Sequence, residues 1–269
     1  MVRKDELKKI INRVKRAPWI LGQRLVNEPK NFNSSVSDLF VWINEKTTST
    51  IFQSININKL FEQKSTHGYL YIFDMRGNFL SRKKIKFNNK YKITIDLSNL
   101  IKEDYGPYGT FAFFHGETPI EIKQSSGYIT ERGYVGYRNL DDAYNYVHGN
   151  HDAISLSRDN LKISCLSSLA IVARDFNLQY LIEPDNQYFF YLVNNSCKDI
   201  DVTFSIHDGL ISSKIISSEK VHIHSKGVRR FEVSLLGAYF GRLVITSRLV
   251  MARPLVIKVK NNKLDCFHG

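Results

Sequence analysis

The sequence has few of the features by which protein classes are usually recognised. It has only three cysteines, Cys165, Cys197 and Cys266, and no CxxC spacing. This pattern argues against a secreted disulfide framework and favours free thiols in a reducing compartment. No run of about 18 apolar residues occurs, so we expect no transmembrane helix. The opening MVRKDELKKI lacks the apolar stretch and cleavage site of a signal peptide. We therefore expect cytoplasmic residence.

Motifs for common chemistries are also missing. No GxGxxG opens a helix and no phosphate loop occurs, so we expect no nucleotide cofactor and no cofactor of another kind. No serine or cysteine lies in a glycine-rich elbow, so the sequence does not indicate nucleophilic hydrolysis. What the chain does have is 269 residues with 43% hydrophobic and 12% aromatic content. These values predict a folded globular protein with room for one large core or two smaller ones.

Positive charge is concentrated near the start. The net charge is +12, and residues 1–30 hold nine Lys or Arg against three Asp or Glu. The remaining excess of positive charge is interpreted as thinly spread over the predicted strands that follow, without a basic stripe. General nucleic-acid binding is therefore not the favoured interpretation. If the leader bound nucleic acid, its affinity would depend on salt and would vanish on removal of residues 1–28.

Residues 1–28 are predicted to form a basic amphipathic helical leader. Between residues 4 and 25 the apolar side chains fall close to helical spacing. They are Leu7, Ile10, Ile11, Val14, Leu21 and Leu25. Pro18 is expected to end or kink the helix. Two interpretations stay open: peripheral contact of residues 4–25 with an anionic membrane, with Trp19 at the interface, or packing on the protein itself.

Short strands with turn signals between them fill most of the remaining chain. LFVWIN, TIFQSINI, YLYIFD, FLSRKKIKF, YKITIDL and TFAFFH follow one another before residue 124, and a second series runs from YFFYLVNN to KLDCF. In YKITIDL, Ile93 and Ile95 alternate with Lys92 and Thr94, as in a strand with one buried face. The sequence predicts an all-β fold of two tandem antiparallel β-sandwich domains, 36–124 and 161–269, behind the N-terminal helix.

The two series of strands match in order, which predicts an internal duplication. IFQSININ matches FFYLVNN, YLYIFDMRG matches VTFSIHDG, YKITIDLSNL matches RRFEVSLLGA, GTFAFF matches GRLVIT, and PIEI matches PLVI. Such a repeat is the signature of a duplicated structural unit. The pattern of strands and turns over 187–258, with its NNS and HDG turns, resembles the sensory rhodopsin transducer family. That resemblance implies a β-sandwich fold and no functional residue.

The segment 125–160 stands between the two series and follows neither a helical nor a strand period. It is rich in glycine, tyrosine and histidine. Tyrosine rings and arginine guanidinium groups suit sugars and other polar ring ligands, because the rings stack and the guanidinium donates in a plane. The candidate ligand-binding residues are Arg132, Tyr134, Tyr137, Arg138, Tyr146, His148, Asn150 and His151. The alternative is a connector whose tyrosines pack between the domains.

Two histidine motifs raise the question of a metal. The tetrapeptide Gly149–Asp152 reads GNHD, which calcineurin-like metallophosphatases use together with an Asp-x-His that this chain lacks. His222 and His224 form an HxH pair that a strand places on one outward face, where His207 would be the third ligand. A solvated polar face is the favoured interpretation of that pair, and no metal site is predicted.

Two functions are consistent with these patterns. The first is a non-catalytic binding or assembly protein that holds a glycan or other polar small ligand between the two domains, with a role in surface polysaccharide synthesis. The second is a metal-assisted enzyme that acts on a sugar or phosphoester through His148, His151 and Asp152 of the HGNHD segment. The oligomeric state is left open.

Overall fold

The computed structural model describes residues 34–45, 47–62, 66–117, 129–131, 133–139, 143–149, 153–157, 161–167, 169–178, 181–209, 214–235, 240–250, 253–261 and 263–269. Within them the chain forms twenty β-strands, one short α-helix, α1 (Ile57–Glu62), and a single 3-10 turn (Glu103–Tyr105), so the all-β prediction is confirmed. The predicted leader 1–28, with its membrane contact through residues 4–25, lies outside the described residues. No helix among the described residues is long and apolar enough to cross a bilayer.

The strands are short and follow one another closely. In chain order they are β1 (Ser34–Ser37), β2 (Phe40–Ile43), β3 (Thr48–Ile55), β4 (His67–Asp74), β5 (Phe79–Lys86), β6 (Lys92–Asp96), β7 (Tyr108–His115), β8 (Ile129–Glu131), β9 (Tyr134–Asn139), β10 (Asn145–His148), β11 (Ile154–Ser157), β12 (Ile163–Cys165), β13 (Arg174–Asn177), β14 (Gln187–Val193), β15 (Ile200–Asp208), β16 (Ile215–Ile223), β17 (Val228–Ser234), β18 (Gly241–Ser247), β19 (Leu255–Lys260) and β20 (Lys263–His268).

These strands form five four-stranded sheets. Their strand orders are β2-β7-β4-β5 in sheet I, β10-β9-β3-β6 in sheet II, β12-β11-β1-β8 in sheet III, β13-β18-β15-β16 in sheet IV and β17-β14-β19-β20 in sheet V. Neighbouring strands are antiparallel except β1 and β8, which pair in parallel. Three sheets belong to the first half of the chain and two to the second.

Strand β7 of sheet I is buried on both faces, because it lies between sheets II and III, whereas the edge strand β5 is largely exposed. Every residue of β7 is buried. Phe111 and Phe113 point into the core shared with sheet II, where the Phe52 and Phe111 rings meet edge to face at 5.3 Å. Ala112 and Phe114 alternate with them and face a second core under sheet III. An almost unbroken apolar strand is what burial on two faces requires.

The second half of the chain has its own core between sheets IV and V. Phe204 of β15 and Phe231 of β17 stack there with ring centroids 4.8 Å apart. Buried and exposed residues alternate in these strands, since Val202 and Val233 are buried while Glu232 is exposed. Burial of one residue in two gives each strand an outward face that is free for polar side chains.

The two halves share one strand order. Sheets I and IV correspond as β2-β7-β4-β5 and β13-β18-β15-β16, and sheets II and V correspond as β10-β9-β3-β6 and β20-β19-β14-β17. The strands matched by sequence, such as β3 with β14 and β7 with β18, occupy equivalent places. By this order β19 is equivalent to β9, whereas PIEI at 119–122 lies outside the described residues. A common order is what duplication would produce, and the duplication itself stays a prediction.

The expectation that segment 125–160 lacks strand structure is wrong. It contributes β8, β9, β10 and β11, of which β8 and β11 pair with β1, β9 pairs with β3, and β10 pairs with β9. Its glycines mark close packing rather than loops. A Cβ on Gly133 would lie 2.2 Å from the Phe52 ring, and one on Gly136 would lie 2.8 Å from the Tyr146 ring. Glycine at such close approaches interrupts the apolar alternation by which strands are recognised.

A buried polar cluster fixes β8 to the first half. Glu131 is almost fully buried and accepts a hydrogen bond from Ser54 Oγ at 2.9 Å. The same carboxylate oxygen lies 2.8 Å from Nε2 of the buried His115, whose ring stacks on Phe87. A buried carboxylate is tolerated only when such partners surround it, so this cluster specifies where β8 lies.

The halves meet through two tight turns. The β4–β5 turn of the first half packs against the β16–β17 turn of the second, and Val228 N donates to Met75 O at 3.0 Å. Thr110 Oγ1 adds a 2.7 Å bond to Lys226 O. Beside the turns, the core of sheets I and II continues into the second half. The ring of Tyr108 in β7 meets the ring of Tyr191 in β14 with centroids 5.4 Å apart.

The edge strands of the two halves also lie side by side. Asn145 Nδ2 of β10 donates to the backbone oxygen of Leu264 in β20 at 2.7 Å. Further along, the rings of His148 and His268 are 4.9 Å apart. Because β10 and β20 are equivalent in the shared strand order, each half meets the other through its corresponding edge.

Gly77 supplies the first prediction, because it lies at the contact between the two turns. Its φ is +78°, and a Cβ there would lie 2.0 Å from Ser225 O. We expect Gly77→Ala to lower the free energy of unfolding by about 2–4 kcal/mol, from left-handed backbone strain and from overpacking against main chain. Urea unfolding measures the change.

Gly209→Ala is the matched control. Gly209 also has a positive φ, +67°, but no atom lies within 4 Å of its added Cβ. It should lose only about 1–2 kcal/mol, the strain alone. Equal losses in the two variants would show that the contact between the turns contributes nothing.

Candidate functional site

The outward face of sheet II gathers several of the predicted ligand-binding residues. In β9, Val135 and Tyr137 point into the core, so Tyr134 and Arg138 point outward. In β10, Val147 is in the core and Tyr146 points outward. The resulting surface is called the aromatic face, and its residues are Gln53, Tyr134, Arg138, Tyr144 and Tyr146.

Two exposed tyrosine rings dominate the aromatic face. Tyr134 and Tyr146 are 52% and 43% exposed. Tyr146 lies opposite Gly136 in the β9–β10 register, and the missing side chain of Gly136 leaves room for its ring against the sheet. Gln53 Nε2 donates to the Tyr146 hydroxyl at 3.0 Å. The ring is therefore held in place while its outer side stays open to solvent.

Arg138 is held beside these rings by two contacts. Its Nε donates to Ser49 Oγ at 3.0 Å, and its guanidinium carbon lies 4.7 Å from the centre of the Tyr144 ring. The Tyr144 ring is in turn 6.2 Å from that of Tyr146. A guanidinium fixed by stacking and a hydrogen bond keeps its planar set of donors in one orientation.

Tyr137 does not belong to the aromatic face but lines a narrow cleft between the halves, and its role as a ligand-binding residue stays a prediction. Its side chain is buried, and its hydroxyl donates to Val41 O at 2.7 Å. Burial raises the pKa of Tyr137 well above its ordinary value. The period of two in β9 explains the outcome, because it places Tyr137 on the inward face with Val135.

His148 lies at the rim of the aromatic face, above a narrow cleft between the halves. Its Nδ1 is 2.6 Å from Gly149 O, and its backbone oxygen accepts a hydrogen bond from His268. The cleft also borders on Asp38, Tyr191 and Arg253, and its volume is about 50 Å³. That space holds a few water molecules, whereas ligand pockets measure about 300–1,000 Å³. The cleft is too small for the predicted sugar, so the aromatic face is the better candidate for the ligand-binding site.

The remaining predicted residues cannot be placed. Arg132, Asn150 and His151 lie outside the described residues, as does Asp152. Of the HGNHD segment, on which the metal-assisted enzyme hypothesis depends, only His148 and Gly149 are described. The hypothesis therefore stays a prediction.

The HxH pair points outward as the sequence predicts, with His222 on the exposed face of β16 and His224 directly after the last residue of that strand. The prediction that His207 supplies a third ligand is wrong. His222 pairs across the ladder with Asp201, and His207 is six residues further along β15, about 20 Å away. The groups that do surround the pair are the carboxylates of Asp199 and Asp201. The hydrogen bond from His224 lowers the pKa of Asp199 most, and the hydrogen bond from Ser225 N lowers it further. The carboxyl group of Asp199 is therefore kept ionised.

Cationic side chains also line one edge of the structure, although the sequence was interpreted as having no basic stripe. Strand β5 is the outer strand of sheet I, and its cationic residues continue into the following turn and the start of β6. They are Arg82, Lys83, Lys84, Lys86, Lys90 and Lys92. The run RKKIKFNNKYK was the available signal. Lysine on an edge strand also prevents pairing between sheets of different molecules, so this run does not by itself indicate a nucleic-acid partner.

Comparisons with known proteins identify no family. No family model matches the chain, and no curated protein matches it. Among solved structures it is similar to a calcium-binding mutant of Bacteroides uniformis β-glucuronidase 2, with 10% identity, a TM-score of 0.23, and coverage of 90% of this chain and 27% of that one.

Two further solved structures are similar to the chain at the same low level. A Bacteroides uniformis β-glucuronidase has 8% identity, a TM-score of 0.16, and coverage of 86% of this chain and 25% of that one. A β-glucuronidase from glycoside hydrolase family 2 has 11% identity, a TM-score of 0.16, and coverage of 91% and 24%. The chain spans about a quarter of the length of these enzymes. TM-scores this low do not establish a common fold, and nothing about the activity of this chain follows from them.

His268 supplies the second prediction, because its environment at the cleft disfavours the charged imidazolium. Burial lowers its pKa to about 4, against about 6.5 in an unfolded chain. The folded protein thus binds this proton less readily than the unfolded chain does. The stability contributed by neutral His268 is full above pH 6.5 and falls as the pH drops from about 6.5 to about 4.

His268→Gln should flatten the pH dependence of the unfolding free energy across that window, since glutamine keeps a donor but does not titrate. Urea unfolding of the variant and the unchanged protein between pH 4 and pH 7 measures the difference. Parallel curves for the two proteins would contradict the shifted pKa.

Proposed function

We propose that this chain is a non-catalytic binding protein that recognises a glycan on its aromatic face. The observation that carries the proposal is the pair of exposed rings, Tyr134 and Tyr146, on a sheet surface where Gly136 leaves space for one of them. Rings of this kind present an apolar plane with a polar edge, which suits the alternating CH and OH surfaces of a sugar.

The polar groups beside the rings fit the same ligand. Gln53 and Arg138 supply donors next to Tyr146, and both are held by contacts with neighbouring side chains. An amide and a guanidinium bind hydroxyl and carboxylate oxygens, and neither titrates near neutral pH. This favours recognition over acid–base catalysis.

The shape of the surface favours an extended ligand over a small one. Tyr134 and Tyr146 are diagonal neighbours across the β9–β10 ladder, with side chains about 7–8 Å apart. An open sheet face of this kind contacts one side of an oligosaccharide chain, whereas a pocket would enclose a single sugar. Arg138 adds a preference for sugars that carry a carboxylate or sulfate.

The wider role rests on the sequence alone. It comprises cytoplasmic residence, two tandem β-sandwich domains, peripheral membrane contact through residues 4–25 and participation in surface polysaccharide synthesis. The strand pairing suggests one change to the proposed domain bounds of 36–124 and 161–269. Because β8 to β12 join sheets II and III, the first unit is better drawn to include residues up to 165.

Binding to an immobilised panel of neutral and acidic oligosaccharides tests the proposal. For a sugar that is retained, we expect Tyr134→Ala and Tyr146→Ala each to weaken binding by about two- to tenfold, which corresponds to roughly 0.5–1.5 kcal/mol per stacking contact. Titration calorimetry with the soluble sugar measures the loss.

Tyr91→Ala is the matched control, because Tyr91 is also half exposed and lies under a cation, Lys59, away from the aromatic face. It should leave the affinity unchanged. Retention of no sugar by the full chain, or equal affinity in all three variants, would exclude the aromatic face as a glycan site.

A further inference from the structure

The histidine cluster, defined as Asp199, His222 and His224, lies on the outer face of sheet IV, in the half of the chain that does not carry the aromatic face. We propose that it is a binding site for a divalent transition metal, with zinc as the best fit. One carboxylate oxygen and two imidazole nitrogens of these residues lie within 4.8 Å of one another. The site is independent of the proposed glycan binding.

The strand geometry brings the three side chains together. His222 and His224 are two residues apart at the end of β16, so they point the same way while Ile223 between them is buried. Their ring centroids are 5.0 Å apart. Asp199 immediately precedes β15, whose Ile200 pairs with Ile223. The ladder therefore holds the carboxylate beside both rings.

Two of the three spacings between the ligand atoms are close to those of a tetrahedral site. Asp199 Oδ2 is 2.9 Å from His224 Nδ1 and 3.6 Å from His222 Nε2. Zinc bonds of about 2.0–2.1 Å in a tetrahedron place neighbouring ligand atoms about 3.3 Å apart. Both observed distances differ from that value by a few tenths of an ångström, so side-chain adjustments suffice.

Outer groups orient the ligands as metal sites require. His222 Nδ1 lies 2.9 Å from Asp201 Oδ1, and a proton on that nitrogen leaves the Nε2 lone pair directed at the cluster. Ser225 N donates to the other oxygen of Asp199 at 2.8 Å. A carboxylate behind a ligating histidine fixes its tautomer and ring orientation. Asp201 is held in turn by Lys220 at 3.1 Å.

The donor set indicates the class of ion. Two imidazoles with one carboxylate suit zinc and neighbouring transition metals, whereas calcium and magnesium prefer oxygen ligands alone. Three protein ligands leave a fourth position for water or an anion. Asp199 and His224 also line a groove of about 420 Å³ whose other side chains include Arg76, Asn78 and Lys226.

Calorimetric titration of the full chain with zinc chloride tests the proposal, after removal of any affinity tag and of bound metal by chelation. We expect one zinc per chain. His222→Ala and His224→Ala should each weaken binding by at least 100-fold. Asp201→Asn should weaken it by about 10–100-fold, because it removes only the orienting carboxylate.

His207→Ala is the matched control, since it removes a histidine of the same sheet that lies far from the cluster, and it should bind zinc as the unchanged chain does. Asp199→Asn keeps an oxygen for Ser225 N, so its weaker binding would not reflect lost folding. Circular dichroism checks each variant. Absence of saturable binding, or one zinc per chain still bound after His222→Ala and His224→Ala are combined, would overturn the proposal.

Discussion

Burial of strand β7 of sheet I on both faces is the constraint on which the first half of this protein depends. Phe111 and Phe113 require a cover on one side, and Ala112 and Phe114 require one on the other. Sheet II supplies the first and sheet III the second, which is why strands from both ends of this half come together. Once sheet II is fixed by its inward residues, the outward face of β9 and β10 follows, and so does the arrangement of Tyr134, Arg138 and Tyr146.

The two candidate sites arise from the same property of β-strands. In each, alternate residues are held in a core, and the residues between them are displayed at a fixed spacing on a rigid surface. On β9 and β10 the displayed groups are rings and a guanidinium, which suit a ligand with a flat face. On β16 they are two imidazoles, and the neighbouring strand β15 begins next to a carboxylate. The fold supplies position, and the residue types decide the chemistry.

Much of the fold could be predicted because alternation is local. Ile93 with Ile95, and Phe231 with Val233, show their buried face in the sequence itself. The strands of segment 125–160 were not predicted because Gly133 stands against the core residue Phe52, where an apolar side chain would have continued the alternation of Val135 and Tyr137. Residue type alone made Tyr134, Arg138 and Tyr146 candidate ligand-binding residues, and it made Tyr137 one as well. Only the strand register shows that Tyr137 points inward while the other three point outward. Asp199 could not be recognised as a neighbour of His222, since strand pairing alone brings together residues 23 positions apart.

The side-by-side position of β10 and β20 affects how the protein behaves in a crowded solution. Each is the last strand of its sheet, and an open strand edge offers unpaired backbone groups to any other chain. Here each half covers the vulnerable edge of the other, through contacts such as Asn145 to Leu264. Strand β5, an edge of sheet I, is protected differently, by Arg82 and the lysines that follow it. The contact between β10 and β20 thus leaves fewer backbone groups open to other chains than either edge would alone.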